Sequence, residues 1–275
     1  MTDAIPLAVI GGTGLEQAFD ALEERLEIDT PYGPTSEPVA VGEIAGRRVA
    51  FLPRHGRGHA LPPGSIPARA NAWALASLGV RGIVSSAAVG SLDPDLPPPA
   101  LVIPDQLLDR TRHRADSFFD GTVPGEPVRH LPLADPFCPV LRLAAAEAAP
   151  TAHRGATVAV IEGPRFSTRA ESRSLRRDGA HLVNMTLLPE VALAAELGIG
   201  TVTVCVVTDM DAGVAEGDET VSAEVVYARF AGALPEVVAS IERTIAAVPH
   251  DYAGRVLLDE RARGDVLARP LLGRD

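Results

Sequence analysis

The chain has 275 residues and a formal net charge of −11, with 46% hydrophobic and 22% charged residues. That length buries a core large enough for one α/β domain, and the composition is that of an ordinary globular protein. The acidic balance excludes general affinity for nucleic acid or an anionic membrane, while leaving room for a local basic pocket that takes a small anion. No apolar run approaches membrane-spanning length, and "MTDAIPLAVIGG" has no basic segment ahead of a long apolar one. Cytoplasmic localisation is therefore expected. Cys138 and Cys205 sit in apolar stretches without CxxC spacing, which predicts reduced, packed thiols.

In chain order, "IPLAVIGGTGLE" reads as a short strand entering a glycine-rich turn. "EPVAVGEIAGRRVAFLPRHG" alternates apolar and polar residues around "AG", the pattern of a β-hairpin. "IPARANAWALASLGV" predicts a helix ending at Gly79, and "RGIVSSAAVGSL" a strand ending in small residues. "LPPPALVIPDQLLD" is a proline-punctuated connection into another short strand. Residues Arg110 to Pro136 show no period and read as a long ordered loop, a feature that tends to be functional in compact domains. Beyond it, "GATVAVIEG", "HLVNMT" and "GTVTVCVVTD" read as strands, alternating with helices at "STRAESRSLRRDGA" and "LPEVALAAELG". "SAEVVYARFAGALPEVVASIERTIAAV" predicts a long amphipathic helix with a kink or boundary at Pro235. Strands alternating with helices give a mostly parallel sheet flanked by helices, with ligands collecting beyond the carboxyl ends of its strands.

The residues able to do chemistry follow strands. "GGTGLE" lacks the third glycine of a dinucleotide fingerprint, because Gln17 stands there. It offers either an anion cradle beside the Thr13 hydroxyl or a plain tight turn. "LPRHGRGH" places Arg54, His55, Arg57 and His59 within six positions, donors suited to phosphate or to a solvated basic turn. "SSAAVGS" has small residues that let backbone approach a ligand or let a helix pack on the sheet. In "EGPRFSTRAES" Phe166 follows a turn and Ser167 is placed to cap a helix. "NMTLLPE" ends a strand with Asn184, Met185 and Thr186; Met185 reads equally as core and Thr186 as a cap. Asp209 and Asp211 stand where a buried strand leaves the core, as a pair sharing a proton, a metal site or a capped turn. No HExxH motif, no paired Cys or His cluster and no GxSxG elbow is present.

Together the motifs "VIGGTGL", "RHGRGH", "DRT…SFFDG", "HLPLADPFCP", "EGPRFSTRAES", "NMTLLPEVALAAELGI" and "TDMD" resemble, in order, the 5′-methylthioadenosine phosphorylase branch of the purine nucleoside phosphorylases. The resemblance covers roughly Ile5 to Glu242 and leaves a C-terminal tail, from about residue 249, unmatched. It implies a single α/β phosphorylase domain over residues 1–275, a mostly parallel mixed sheet flanked by helices, and a homotrimer. Inorganic phosphate is then a co-substrate, and neither a metal nor an organic cofactor is expected. Carried over by motif, Thr13, Arg54, His55, Ala87, Ala88 and Thr186 surround phosphate. Phe166 packs on the purine, Met185 lies against the ribose, and His59 and Thr208 approach the sugar or its 5′ end. Ser167, Asp209 and Asp211 face the base, and His130 reaches the 5′ pocket of an adjacent subunit.

The implied reaction is phosphate-dependent cleavage of methylthioadenosine, with Asp209, Asp211 and Thr186 as its catalytic residues. A 6-oxopurine phosphorylase, a phosphorylase of another 5′-substituted adenosine, and a weakly catalytic nucleoside-binding protein are the alternatives. Met210, Ala212 and Gly213 depart from the bulkier family pattern around the aspartates, and Ala87 and Ala88 from its commoner Thr-containing version.

Overall fold

The computed structural model describes residues 5–12, 14–19, 22, 24–212 and 221–271. Strand β1 (Leu7–Gly11) is followed by β2 (Glu24–Leu26), β3 (Val39–Ile44) and β4 (Arg47–Pro53). Helix α1 (Ala68–Ser77) leads to β5 (Gly82–Ser91), β6 (Leu101–Ile103) and β7 (Gln106–Arg110). After the long loop come α2 (Pro139–Ala148), β8 (His153–Arg154), β9 (Thr157–Ile161) and α3 (Arg169–Arg177). The chain finishes with β10 (Leu182–Asn184), α4 (Leu187–Glu196), β11 (Gly200–Asp209), α5 (Ala223–Ala247) and α6 (Glu260–Leu267).

The strands form one mixed, mostly parallel sheet in which β5 pairs with β1, β10 and β11. Its first half is flanked by β1 and β11, both parallel to it. Its last residues, Gly90 and Ser91, instead meet β10 antiparallel. Side-chain alternation divides the core. Leu7, Val9, Val84 and Val202 face a cluster with Phe230, Val237, Ile241 and Ile245 of α5. Ala8, Ile10 and Ile83 face the opposite one, with Trp73 of α1, Leu193 of α4 and Val266 of α6. Burial on both faces is what makes β1, and Val204–Val207 of β11, unbroken apolar runs in sequence. The hairpin falls at Ala45 and Gly46, both with positive φ, as a two-residue turn requires.

Two sequence expectations are corrected. Helix α5 runs through Pro235 without a break. Its buried stripe of Phe230, Val237, Ile241 and Ile245 continues in register past the proline, and that burial outweighs a helix-interior proline cost of about 3 kcal/mol. The cap of α3 is Thr168, not Ser167: Thr168 accepts from the Glu171 N–H, while the Glu171 carboxylate accepts from the Thr168 N–H. The cysteines are free and buried, as expected. No helix among the described residues is long and apolar enough to cross a membrane.

Candidate active site

A cavity of about 410 Å³ opens at the carboxyl ends of β4, β10 and β11, alongside the second half of β5. Its two polar ends are built differently. One is cationic and lies where β4 ends. Arg54 is only 1% exposed; its Nε and Nη2 donate to the Glu190 carboxylate at 2.7 and 2.8 Å, and its Nη1 donates to the Ser86 carbonyl at 3.1 Å. Two of the guanidinium's five N–H groups are left for a ligand. Gly12 is what admits this arrangement, because a Cβ there would stand 3.2 Å from Arg54 Nη1 and 3.1 Å from the Ser86 carbonyl.

His55 follows Arg54 and has its Nδ1 2.8 Å from the Leu61 carbonyl. Burial, with Arg54 and His59 nearby, holds its pKa down at about 4, so the ring is neutral near pH 7. His59 stacks on it with centroids 3.9 Å apart, and the Tyr227 ring meets His59 edge-on at 5.5 Å. At the foot of α4 the Asn184 side chain accepts from the backbone N–H groups of Thr186 and Leu187 at 2.7 and 2.8 Å. Asn184 thus does the capping that the sequence suggested for Thr186, and the Thr186 side chain lines the cavity instead.

The other end is carboxylate-lined and sits where β11 ends. Asp209 is 6% exposed; it accepts from the Thr208 hydroxyl and from the Asp211 N–H, both at 2.9 Å. Asp211 sits at φ 44 and accepts a 2.6 Å bond from the Ser172 hydroxyl. Both carboxyls titrate above the ordinary aspartate range. Burial is the main cause for each; Asp211 adds to the rise at Asp209, and Glu171 to that at Asp211. Gly90 makes room here, since a Cβ would lie 2.8 Å from Asp209 Oδ1. The Ser167 hydroxyl, free of capping, is buried beside Asp211 and favours that residue's ionised form.

Apolar walls join the two ends. Phe166, Met185, Ala87 and Ala88 line the cavity, as do Val226 and Tyr227 of α5. The structure therefore gathers Arg54, His55, His59, Ala87, Ala88, Phe166, Ser167, Met185, Thr186, Thr208, Asp209 and Asp211 around one space. Thr13 lies outside the described residues. His130 is exposed on the long loop and does not line this cavity. Sequence reading assigned no role to Glu190, Ser172 or Tyr227, and to Gly90 only that of one small residue in "SSAAVGS". Glu190 had a visible signal, a carboxylate in the first turn of the helix that follows the Asn184–Thr186 strand end. Among the described residues, no group of three or more His, Cys, Asp or Glu side chains is arranged to hold a metal ion.

Residues 6–246 match the phosphorylase superfamily model. The chain is 48% identical over 253 residues to the purine nucleoside phosphorylase of Streptomyces coelicolor, covering 88% of this chain and 89% of the relative. It is 50% identical over 220 residues to the S-methyl-5′-thioadenosine phosphorylase of Mycobacterium tuberculosis, covering 80% and 81%. A crystal structure of methylthioadenosine phosphorylase from an Antarctic soil metagenomic library superposes with a TM-score of 0.85 at 36% identity, over 97% of this chain and 99% of that one. With a family match across most of its length and the fold to go with it, the chain belongs to the phosphorylase superfamily.

Proposed function

We propose that the protein is a pentosyltransferase that phosphorolyses 5′-deoxy-5′-(methylthio)adenosine to adenine and 5-methylthioribose 1-phosphate. The observation that carries this reading is the pairing, in one cavity, of a buried arginine with spare donors and a pair of buried carboxyls of raised pKa. Phosphate held by Arg54, His55, Thr186 and the backbone at Ala87 and Ala88 stands beneath the anomeric carbon; Thr13 belongs to the same set by motif. One of its oxygens forms the bond to C1′ while the C1′–N9 bond breaks and its electron pair stays on the purine. The positive charge that builds on the ribose is stabilised by the phosphate anion, and positioning supplies much of the rate.

Phe166 stacks on the leaving base and Met185 packs under the sugar, with His59 and Thr208 toward its 5′ side. Asp209 in its acid form gives a proton to N7, so the base leaves neutral, and is reprotonated from solvent. Asp211 supports this by placing its own charge beside Asp209, which raises its pKa, while its backbone N–H, donated to Asp209, fixes the carboxyl in place and works the other way on the proton. Ser167, beside Asp211 in the same cavity, hydrogen-bonds the base. The enzyme acts as a cytoplasmic homotrimer of single-domain subunits, with His130 reaching the 5′ pocket of a neighbour.

The test is a nucleoside panel assayed for free base with and without phosphate. Methylthioadenosine is expected to be cleaved fastest, only with phosphate, and undiminished by chelators. Faster cleavage of inosine or methylthioinosine would move the assignment to a 6-oxopurine phosphorylase. Cleavage without phosphate would end it.

A further inference from the structure

We infer that His55 meets the bound anion as a hydrogen-bond acceptor, so that the site selects an oxyanion carrying a hydrogen and takes phosphate in preference to sulfate. This rests on the phosphate-binding reading above. The orientation of the ring is fixed twice over by one residue. Leu61 accepts from His55 Nδ1 through its carbonyl at 2.8 Å and donates its N–H to the His55 carbonyl at 2.9 Å. A carbonyl oxygen only accepts, so the hydrogen of this bond sits on Nδ1. Stacking on His59 at 3.9 Å packs the ring in that orientation.

The remaining question is whether Nε2 also carries a hydrogen. The Leu61 carbonyl favours a second proton, but burial, Arg54 and His59 oppose it and outweigh it. The ring is buried, its sequence neighbour is the Arg54 guanidinium, and the nearby Glu190 carboxylate is engaged on both oxygens by Arg54. These influences keep His55 neutral near pH 7, consistent with its pKa of about 4. His55 lines the cavity, and with Nδ1 committed to Leu61 the ring's lone pair is on Nε2.

An anion entering here is offered donors by Arg54 and Thr186 and one acceptor by His55. Phosphate near neutral pH keeps at least one P–OH and satisfies both kinds of group. Sulfate has no hydrogen, and its oxygen would face the Nε2 lone pair with no bond between them. A buried polar group left unpaired discriminates strongly against the ligand that fails to pair with it. The same contact has a catalytic consequence. With the phosphate hydrogen held at His55, the oxygen offered to C1′ is an unprotonated one.

The experiment compares phosphate, arsenate and sulfate on the intact enzyme near neutral pH. Arsenate, which also keeps a hydrogen, is expected to replace phosphate in base release with a KM within about tenfold. Sulfate is expected to bind at least about tenfold more weakly than phosphate, both as a competitive inhibitor and by calorimetry. In His55→Gln the amide can turn its N–H₂ to the anion, so the sulfate-to-phosphate ratio is expected to shrink about tenfold. Long-range proton–nitrogen NMR of the wild type gives a readout independent of that variant's folding, and should show His55 with Nδ1 protonated and Nε2 bare. Equal affinity for sulfate and phosphate, or a proton on Nε2, would overturn the inference. Absence of phosphorolysis with every nucleoside would instead overturn the proposed activity, while the calorimetric ratio and the NMR tautomer still decide this one.

Discussion

Asp209 and Arg54 illustrate two ways of keeping a polar group functional inside a protein. Arg54 keeps its charge because Glu190 matches it through two short bonds, and removing one partner of such a buried pair typically costs about 3–5 kcal/mol. Asp209 is surrounded by a hydroxyl, a backbone N–H and a second carboxyl; the nearby Arg229 charge favours its ionised form, but burial outweighs it and favours the acid. The sign of the resulting pH dependence is fixed by that upward shift. The acid form persists to higher pH than for an exposed aspartate, and cleavage of adenine nucleosides falls as pH rises through the shifted value. Asp209→Asn keeps a donor near N7 but has no proton to give. It is expected to lower kcat for methylthioadenosine by about 10² and to flatten the alkaline limb of the pH–rate profile that this residue controls. A variant profile with the wild-type limb intact would assign that limb to another group. The aspartates themselves were legible in sequence, because two carboxylates one residue apart end an apolar run. Their partner Ser172 was not, since it lies 39 positions away on the far side of a helix start.

The long loop between β7 and α2 contributes an element-scale device. Arg114, with its side chain 6% exposed, donates from Nη1 to the carbonyls of Met185 and Leu188, both at 2.8 Å, and from Nη2 to that of Glu162 at 2.6 Å. It thereby ties the turn after β10, which carries Met185 and Thr186, to the segment after β9 that leads to Phe166 and Ser167. Arg114→Lys retains the charge but cannot span the three carbonyls with a single ammonium. It is expected to lower kcat/KM by about tenfold or more and to reduce Tm by several degrees, as a loss of about 1–2 kcal/mol would do. Unchanged kinetics in a folded Lys variant would show that the tie is not needed to hold the two segments. Elements with a local signal were legible: the alternating hairpin, the buried strands and the α5 stripe all follow from side-chain period. The cap of α3 was legible too, by the stricter pattern. Thr168 with Glu171 spells a capping box, whereas three residues after Ser167 stands Ala170. Arg114 had no such signal, because its partners lie 48 to 74 positions away and the loop around it has no period.

The whole molecule is closed by the part of the chain that lies beyond the family match at residue 246. Helix α6 buries Ala262 and Val266 against the α1 face, where Trp73 Nε1 donates to the Val266 carbonyl at 3.0 Å and Arg263 donates to the Ala76 carbonyl at 3.0 Å. The tail then grips the long loop. Arg129 donates to Asp259 at 3.1 and 3.2 Å and to Asp265 at 3.1 Å, and Arg269 donates to the Phe118 carbonyl at 2.7 Å and pairs with Glu126. Arg129 immediately precedes His130, the exposed residue proposed to enter a neighbour's 5′ pocket. If the proposed trimer forms, the tail sets where that histidine is presented, and its effect is expected on the assembly rather than on the cavity of its own subunit. Arg129→Gln releases the loop without touching the cavity lining. It is expected to raise KM for methylthioadenosine by about three- to tenfold, with the KM for phosphate unchanged, since partly exposed ion pairs are each worth about 0.2–1 kcal/mol. His130→Ala should give the same selective rise, and combining the two should add little, because both remove one contact. Sedimentation velocity during assay-matched dilution completes the test: a trimer that loses methylthioadenosine affinity as it dissociates is expected. A monomer with wild-type KM for methylthioadenosine would return the 5′ pocket to a single subunit and leave the Arg129 clamp a purely structural feature of the tail.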